Sequence, residues 1–116
     1  MKPQPGTNRP EWELEKSNPE MAKNLKTKLA SVEDPELGLN VIQLGLIRNA
    51  TLQSDQVVIE MILTTPFCPY GPEMIQMVWE KAEEAMQNTS VTVVLGMEVW
   101  DFSMAEEGLL DDWGLY

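Results

Sequence analysis

Met21, Leu25, Leu29 and Val32 recur at helical spacing, so that one side of the segment is apolar while Lys23, Lys26 and Lys28 take the other. Asn18-Pro19-Glu20 just before them is a helix start: Asn as cap, Pro in the first turn, Glu near the positive end of the dipole. The pattern predicts a first helix over residues 19–32, ended by Asp34-Pro35-Glu36, because proline restricts its predecessor and breaks the hydrogen-bond ladder. Residues 41–52 then read as extended, with Gly45 marking a bulge or bend. After a turn at Ser54-Asp55-Gln56, residues 57–64 are β-branched and nearly continuous in apolar character, which predicts a central strand covered on both faces and paired with the first as a hairpin. Gly71-Pro72-Glu73 opens a second helix with Ile75, Val78, Trp79, Ala82 and Met86 as its stripe, and Gln87-Asn88 closes it. Val91, Val93, Leu95, Met97 and Val99 alternate, predicting a last strand over residues 91–99 with one strongly apolar face.

The order α-β-β-α-β predicts an α+β fold: a two-layer domain in which two helices pack on one face of a small three-stranded mixed sheet. The last strand, reached through a helix, lies parallel to the central one, with residues 64–73 at the crossover. Residues 1–16, rich in proline and mixed charge, are expected as a flexible N-terminal arm in which Trp12 and Leu14 provide local anchors. Residues 17–103 form the domain. Residues 104–116 are a C-terminal segment mixing acids with Leu109, Leu110, Trp113, Leu115 and Tyr116, suited either to docking on another surface or to folding back on the domain.

Composition narrows the function classes. With 116 residues, 43% of them apolar, the chain supports one core and one domain. A formal charge of −11 disfavours nucleic acid and anionic membranes as partners, and the charge is uneven: residues 1–30 carry six basic and four acidic groups, residues 31–116 two basic and fifteen acidic. No run reaches the roughly 18 apolar residues of a membrane span, and the first residues lack the apolar stretch of a secretory signal. A single cysteine makes no internal disulfide, so a reducing, cytoplasmic setting is expected.

That cysteine, Cys68, is the main chemical candidate. It stands in Thr64-Thr65-Pro66-Phe67-Cys68-Pro69-Tyr70-Gly71, between the central strand and the second helix, where a helix N-terminus favours the thiolate that binds soft metals. Histidine is absent from the chain, which removes the cysteine-histidine pair of a cysteine hydrolase. A lone cysteine is also often a buried small hydrophobe. Asp34 is equally readable as a turn residue bonding local N–H groups, and Thr64 as a strand-end cap. No glycine-rich phosphate loop or histidine metal cluster accompanies them, so no enzyme activity is expected.

Asp34-Pro35-Glu36-Leu37, then Val41-Ile42-Gln43-Leu44-Gly45-Leu46, then Met61-Ile62-Leu63-Thr64-Thr65-Pro66-Phe67-Cys68-Pro69, in this order on this element pattern, resemble the SufT/PaaD-like family of iron-sulfur assembly proteins over about residues 20–100. The resemblance implies a non-enzymatic role in maturing iron-sulfur proteins, with client apoproteins and other assembly proteins as partners. It implies Cys68 as the reactive thiol and metal ligand, Asp34 and Thr64 as supporting polar positions, and Glu36 and Thr65 beside them. Phe67 stands where the family often has a small residue or histidine, and Trp100-Asp101-Phe102-Ser103-Met104 where it has a proline and a tryptophan.

Iron-sulfur clusters normally take four thiolates, and this chain has one. Three arrangements stay open: a cluster bridged by a homodimer with outside thiols, a transient cluster to which Cys68 lends one ligand during transfer, or no direct contact. The second suits a factor that must release what it binds. The alternative is an adaptor that recruits clients while Cys68 is merely structural.

Overall fold

A computed structural model of the protein describes residues 9, 11–34, 38–64, 71–86 and 89–105. The chain enters through a short helix, α1 (Glu13–Ser17), whose start is fixed by the Glu15 carboxylate accepting the Trp12 N–H at 2.7 Å. Trp12 and Leu14 are buried in the main core, and the Trp12 indole N–H donates to the Ile47 carbonyl at 3.2 Å. The flexible arm expected over residues 1–16 is thus corrected for its last part. Two large apolar side chains supply enough burial to hold a five-residue helix that would not form alone. Residues 1–8 and 10 lie outside the described residues.

Helix α2 (Pro19–Leu29) begins as predicted: the Asn18 side chain accepts the Met21 N–H at 3.2 Å, with Pro19 in the first turn. It buries Ala22, Leu25 and Leu29. It stops three residues short of the predicted end, before Asp34-Pro35. The Ser31 hydroxyl donates to the Lys28 carbonyl at 2.7 Å, and Val32, fully buried, is already outside the helix.

Strands β1 (Glu33–Asp34) and β2 (Leu39–Asn40) pair antiparallel, Glu33 opposite Asn40 and Asp34 opposite Leu39. The next stretch corrects the first part of the extended reading of residues 41–52. Asn40 and Gln43 cap each other reciprocally, at 2.7 and 3.0 Å, and start a single helical turn, α3 (Val41–Leu44). Gly45, at φ 73°, ends it, and a Cβ there would lie 1.9 Å from the Met104 carbonyl oxygen, so glycine is required on both counts. The capping pair, rather than the apolar character of the run, decides the local structure.

The main sheet is β3 (Ile47–Gln53), β4 (Gln56–Met61) and, after helix α4 (Gly71–Ala85), β5 (Ser90–Leu95), in the order β3-β4-β5. β3 and β4 form the predicted antiparallel hairpin, and β5 is parallel to β4 with Met61 opposite Leu95. The ladder is irregular between Ile47 and Asn49, at Arg48 and not at the glycine. β4 is central, but alternates: Val57, Ile59 and Met61 are buried, Val58 and Glu60 half-buried, so one face of the sheet is covered instead of two. α2 packs against α1 and α4, α1 against β3, and α4 against β5, giving the predicted α+β architecture with its helices over one sheet face. β5 ends at Leu95 and not Val99; a 3₁₀ turn at Phe102–Met104 follows. Among the described residues no helix is long and apolar enough to cross a membrane.

Candidate functional site

Parallel strands place their carboxyl ends side by side, and the crevice outside those ends is where open α/β sheets bind ligands. Here β4 and β5 end together: the Gly96 N–H donates to the Met61 carbonyl at 2.8 Å, and the chains then part. Between them opens a cleft of about 350 Å³, with residues 62–64 on one wall and 95–100 on the other. The start of α4 adjoins it, since a Cβ on Gly71 would meet Leu63 Cδ1 at 2.8 Å.

Two of the five candidate residues meet at this end of the sheet. Asp34 is 2% exposed at the end of β1, and Thr64, half-buried on the cleft wall, donates its hydroxyl to Asp34 Oδ2 across a long 3.5 Å. Cys68, Glu36 and Thr65 lie outside the described residues, as does the C-terminal segment from 106 on. Thr64 and Gly71 bracket Cys68 in sequence.

The second cleft wall is braced by Trp100, which in the sequence stood out only as a departure from the family's pattern, and by Arg48 and Glu98, which did not stand out. The Trp100 indole N–H donates to the Leu44 carbonyl at 2.7 Å. Arg48, 5% exposed, meets Glu98 Oε1 at 3.0 Å through Nε and donates through a terminal nitrogen to the Gly45 carbonyl, also at 3.0 Å. A buried guanidinium of this kind ties the strand irregularity to the cleft wall. Its sequence signal was a single basic residue inside the apolar run Leu46-Ile47-Arg48.

A polar cavity of about 260 Å³ elsewhere is lined by Arg9, Lys26 and Arg48 among others. These cations are engaged: Arg9 donates to the carbonyls of Ile42 (2.8 Å) and Met104 (2.7 Å), Lys26 pairs with Glu15 and lies 5.0 Å over the Trp12 ring, and Arg48 is held by Glu98. Burial opposes ionisation of Glu15, but the hydrogen bonds from Lys26 and the Trp12 N–H outweigh it and hold its pKa below the ordinary value. This cavity is a structural brace. Among the described residues no group of three or more acidic, histidine or cysteine side chains is placed to hold a metal ion.

Residues 23–95 match the protein family described as iron-sulfur cluster assembly protein. The chain is 37% identical to an Fe-S protein maturation auxiliary factor of Porphyromonas gingivalis, over 72% of this chain and 82% of that protein. It is 36% identical to the Fe-S protein maturation auxiliary factor SufT of Staphylococcus aureus, over 54% of this chain and 75% of that one. Its fold is similar to that of a domain of unknown function from Bacillus anthracis, with a TM-score of 0.75 at 22% identity, covering 87% of this chain and 98% of the other.

Proposed function

This chain belongs to the iron-sulfur cluster assembly protein family, and from that membership we propose that it is an auxiliary factor in the maturation of iron-sulfur proteins, working as a carrier or targeting factor and not as a turnover enzyme. The observation that supports it most is that the family match over residues 23–95 takes in Asp34, Glu36, Thr64, Thr65 and Cys68 together. In this reading Cys68 lends one thiolate to a cluster in transit, and Asp34 and Thr64 hold the end of β4 in place beside it. Its partners are client apoproteins and other assembly proteins, in the cytoplasm.

Transfer is ligand exchange at iron. The iron–sulfur bond to Cys68 breaks as one to a client cysteine forms, the proton lost by the client thiol is taken up by the departing Cys68 thiolate, and no oxidation state changes. A factor with one ligand of its own releases its cargo readily, since the remaining thiolates belong to other molecules. In a strain lacking this protein, wild-type chain should restore the activity of an iron-sulfur-dependent enzyme, and Cys68→Ser, expressed to the same level, should not. Full restoration by both Cys68→Ser and Cys68→Ala would overturn the thiolate role and leave the adaptor reading, which the exposed apolar side chains at 95–99 favour.

A further inference from the structure

Among the described residues the large apolar side chains that stand exposed are Met77, Val94, Leu95, Met97 and Val99, four of them within six positions at the end of β5. Leu95 is 57%, Val99 81% and Met97 96% exposed, far from the packed face that their alternation predicts. An apolar cluster of this kind beside a cleft marks an interaction surface.

β5 is one of the two edge strands of the sheet. The N–H groups of Ser90 and Gly96 point back toward the neighbouring hairpin, donating to the Asp55 and Met61 carbonyls, so by alternation those of Val91, Val93 and Leu95 point outward. The Trp79 indole caps the Val91 carbonyl at 3.1 Å, and from Val93 onward the outer edge meets no backbone partner among the described residues. A groove of about 430 Å³, lined by Ile75, Trp79, Val91 and Val93, runs beside it. Outward amides call for backbone partners, which an extended segment supplies and a helix does not.

Charge selects among extended partners. No Lys or Arg follows Lys81, whereas Glu83, Glu84, Glu98, Asp101 and four more acids do. Glu60 lies against the edge strand's end, its Oε2 only 2.7 Å from where a Gly96 Cβ would be, while Glu98 on the cleft wall is already paired with Arg48. A second copy would bring the same carboxylates and another −11 to this edge.

We propose that the outer edge of β5, with Leu95, Met97 and Val99, is a docking strip for an extended apolar segment flanked by Lys or Arg, which adds to the sheet as a further strand. That its donor is a client or fellow assembly protein rests on the function proposed above.

The test uses the full chain and a fluorescein-labelled, acetylated peptide alternating valine with lysine. Saturable binding that weakens with salt is expected, together with shifts of the Val93, Leu95 and Met97 amides in NMR spectra and no binding of the glutamate-for-lysine peptide. Leu95→Pro removes an outward N–H without touching the β4 ladder, and should weaken binding by about tenfold, the worth of one or two backbone hydrogen bonds. Should that variant fail to fold, Met97→Lys and Val99→Lys, at exposed positions beyond the strand, should weaken binding to the same degree. Equal binding of the glutamate peptide, or full binding by all three variants, would overturn the proposal. So would a dimer dissolved by Leu95→Pro, which assigns the strip to a second copy, or binding seen only after removal of residues 106–116, which assigns it to the chain's own tail. Cys68→Ser should bind the peptide like wild type. Peptide binding lost while Cys68 is still needed for maturation sinks the strip alone, and the converse sinks the thiolate role alone.

Discussion

Thr64 Oγ1 donates to Asp34 Oδ2 at 3.5 Å, joining the stretch just past β4 to the small β1–β2 pair thirty positions earlier in the chain. Thr64 lines the cleft and Asp34 is buried, and each directly precedes in sequence a stretch that carries the remaining candidates. Thr64→Val should cost about 0.5–1.5 kcal/mol and Asp34→Ala about 1–3 kcal/mol, the second being larger because Asp34 is buried. Urea unfolding of both single variants and the double variant should show coupling of about 0.5 kcal/mol. Strict additivity would mean that the contact does not join the segments.

Gly45→Ala combines a left-handed backbone with a collision against the Met104 carbonyl. A loss of about 2–4 kcal/mol is expected, with disorder at the Arg9 and Trp100 contacts that close on the same turn. Thermal unfolding reads the loss directly. A variant as stable as wild type would show that residues 102–105 do not pack on Gly45.

Leu14→Ala tests whether the first helix belongs to the core. With its side chain fully buried, a cost of about 2–5 kcal/mol is expected. A flexible arm would give no measurable change in the denaturation midpoint.

Glu15 gives a pH signature. Its folded pKa is depressed below 4.5, mainly by Lys26 and the Trp12 N–H acting against burial, so the bound carboxylate stabilises the fold fully above the unfolded value. That stability is lost as pH falls through the folded value, where the unfolded chain binds more protons. Denaturation midpoints of wild type and Glu15→Gln should therefore differ at neutral pH and converge in acid. A gap that widens in acid would contradict the assigned sign.

The helices and the sheet were legible because their signals are local. Asn18-Pro19 starts α2, a nearly continuous β-branched run marks β4, and alternation marks β5. Three misread features stand out, two of them because a longer-range contact won and one because of a local cap. Trp12 and Leu14 look like isolated apolar residues in a polar arm until β3 offers them a wall, including the Ile47 carbonyl. Residues 41–44 carry strand-forming side chains, yet the Asn40–Gln43 box turns them into helix. The alternation of Val91 to Val99 runs past the strand, since after Gly96 the chain leaves β4 and is held by Trp100 and Arg48 instead. Of the site, the family resemblance singled out Asp34 and Thr64, but their meeting was not foreseen. No spacing rule links residues thirty apart.

The central claim is that Cys68 lends a ligand to a cluster in transit. The most direct measurement is an anaerobic transfer assay: a cluster reconstituted on wild-type chain in the presence of a small thiol, then offered to an apoferredoxin, with visible circular dichroism following its arrival. Cysteine-dependent loading and transfer by wild type are expected, with both lost in Cys68→Ser although that variant remains folded. Equal loading and transfer by Cys68→Ser would contradict the claim.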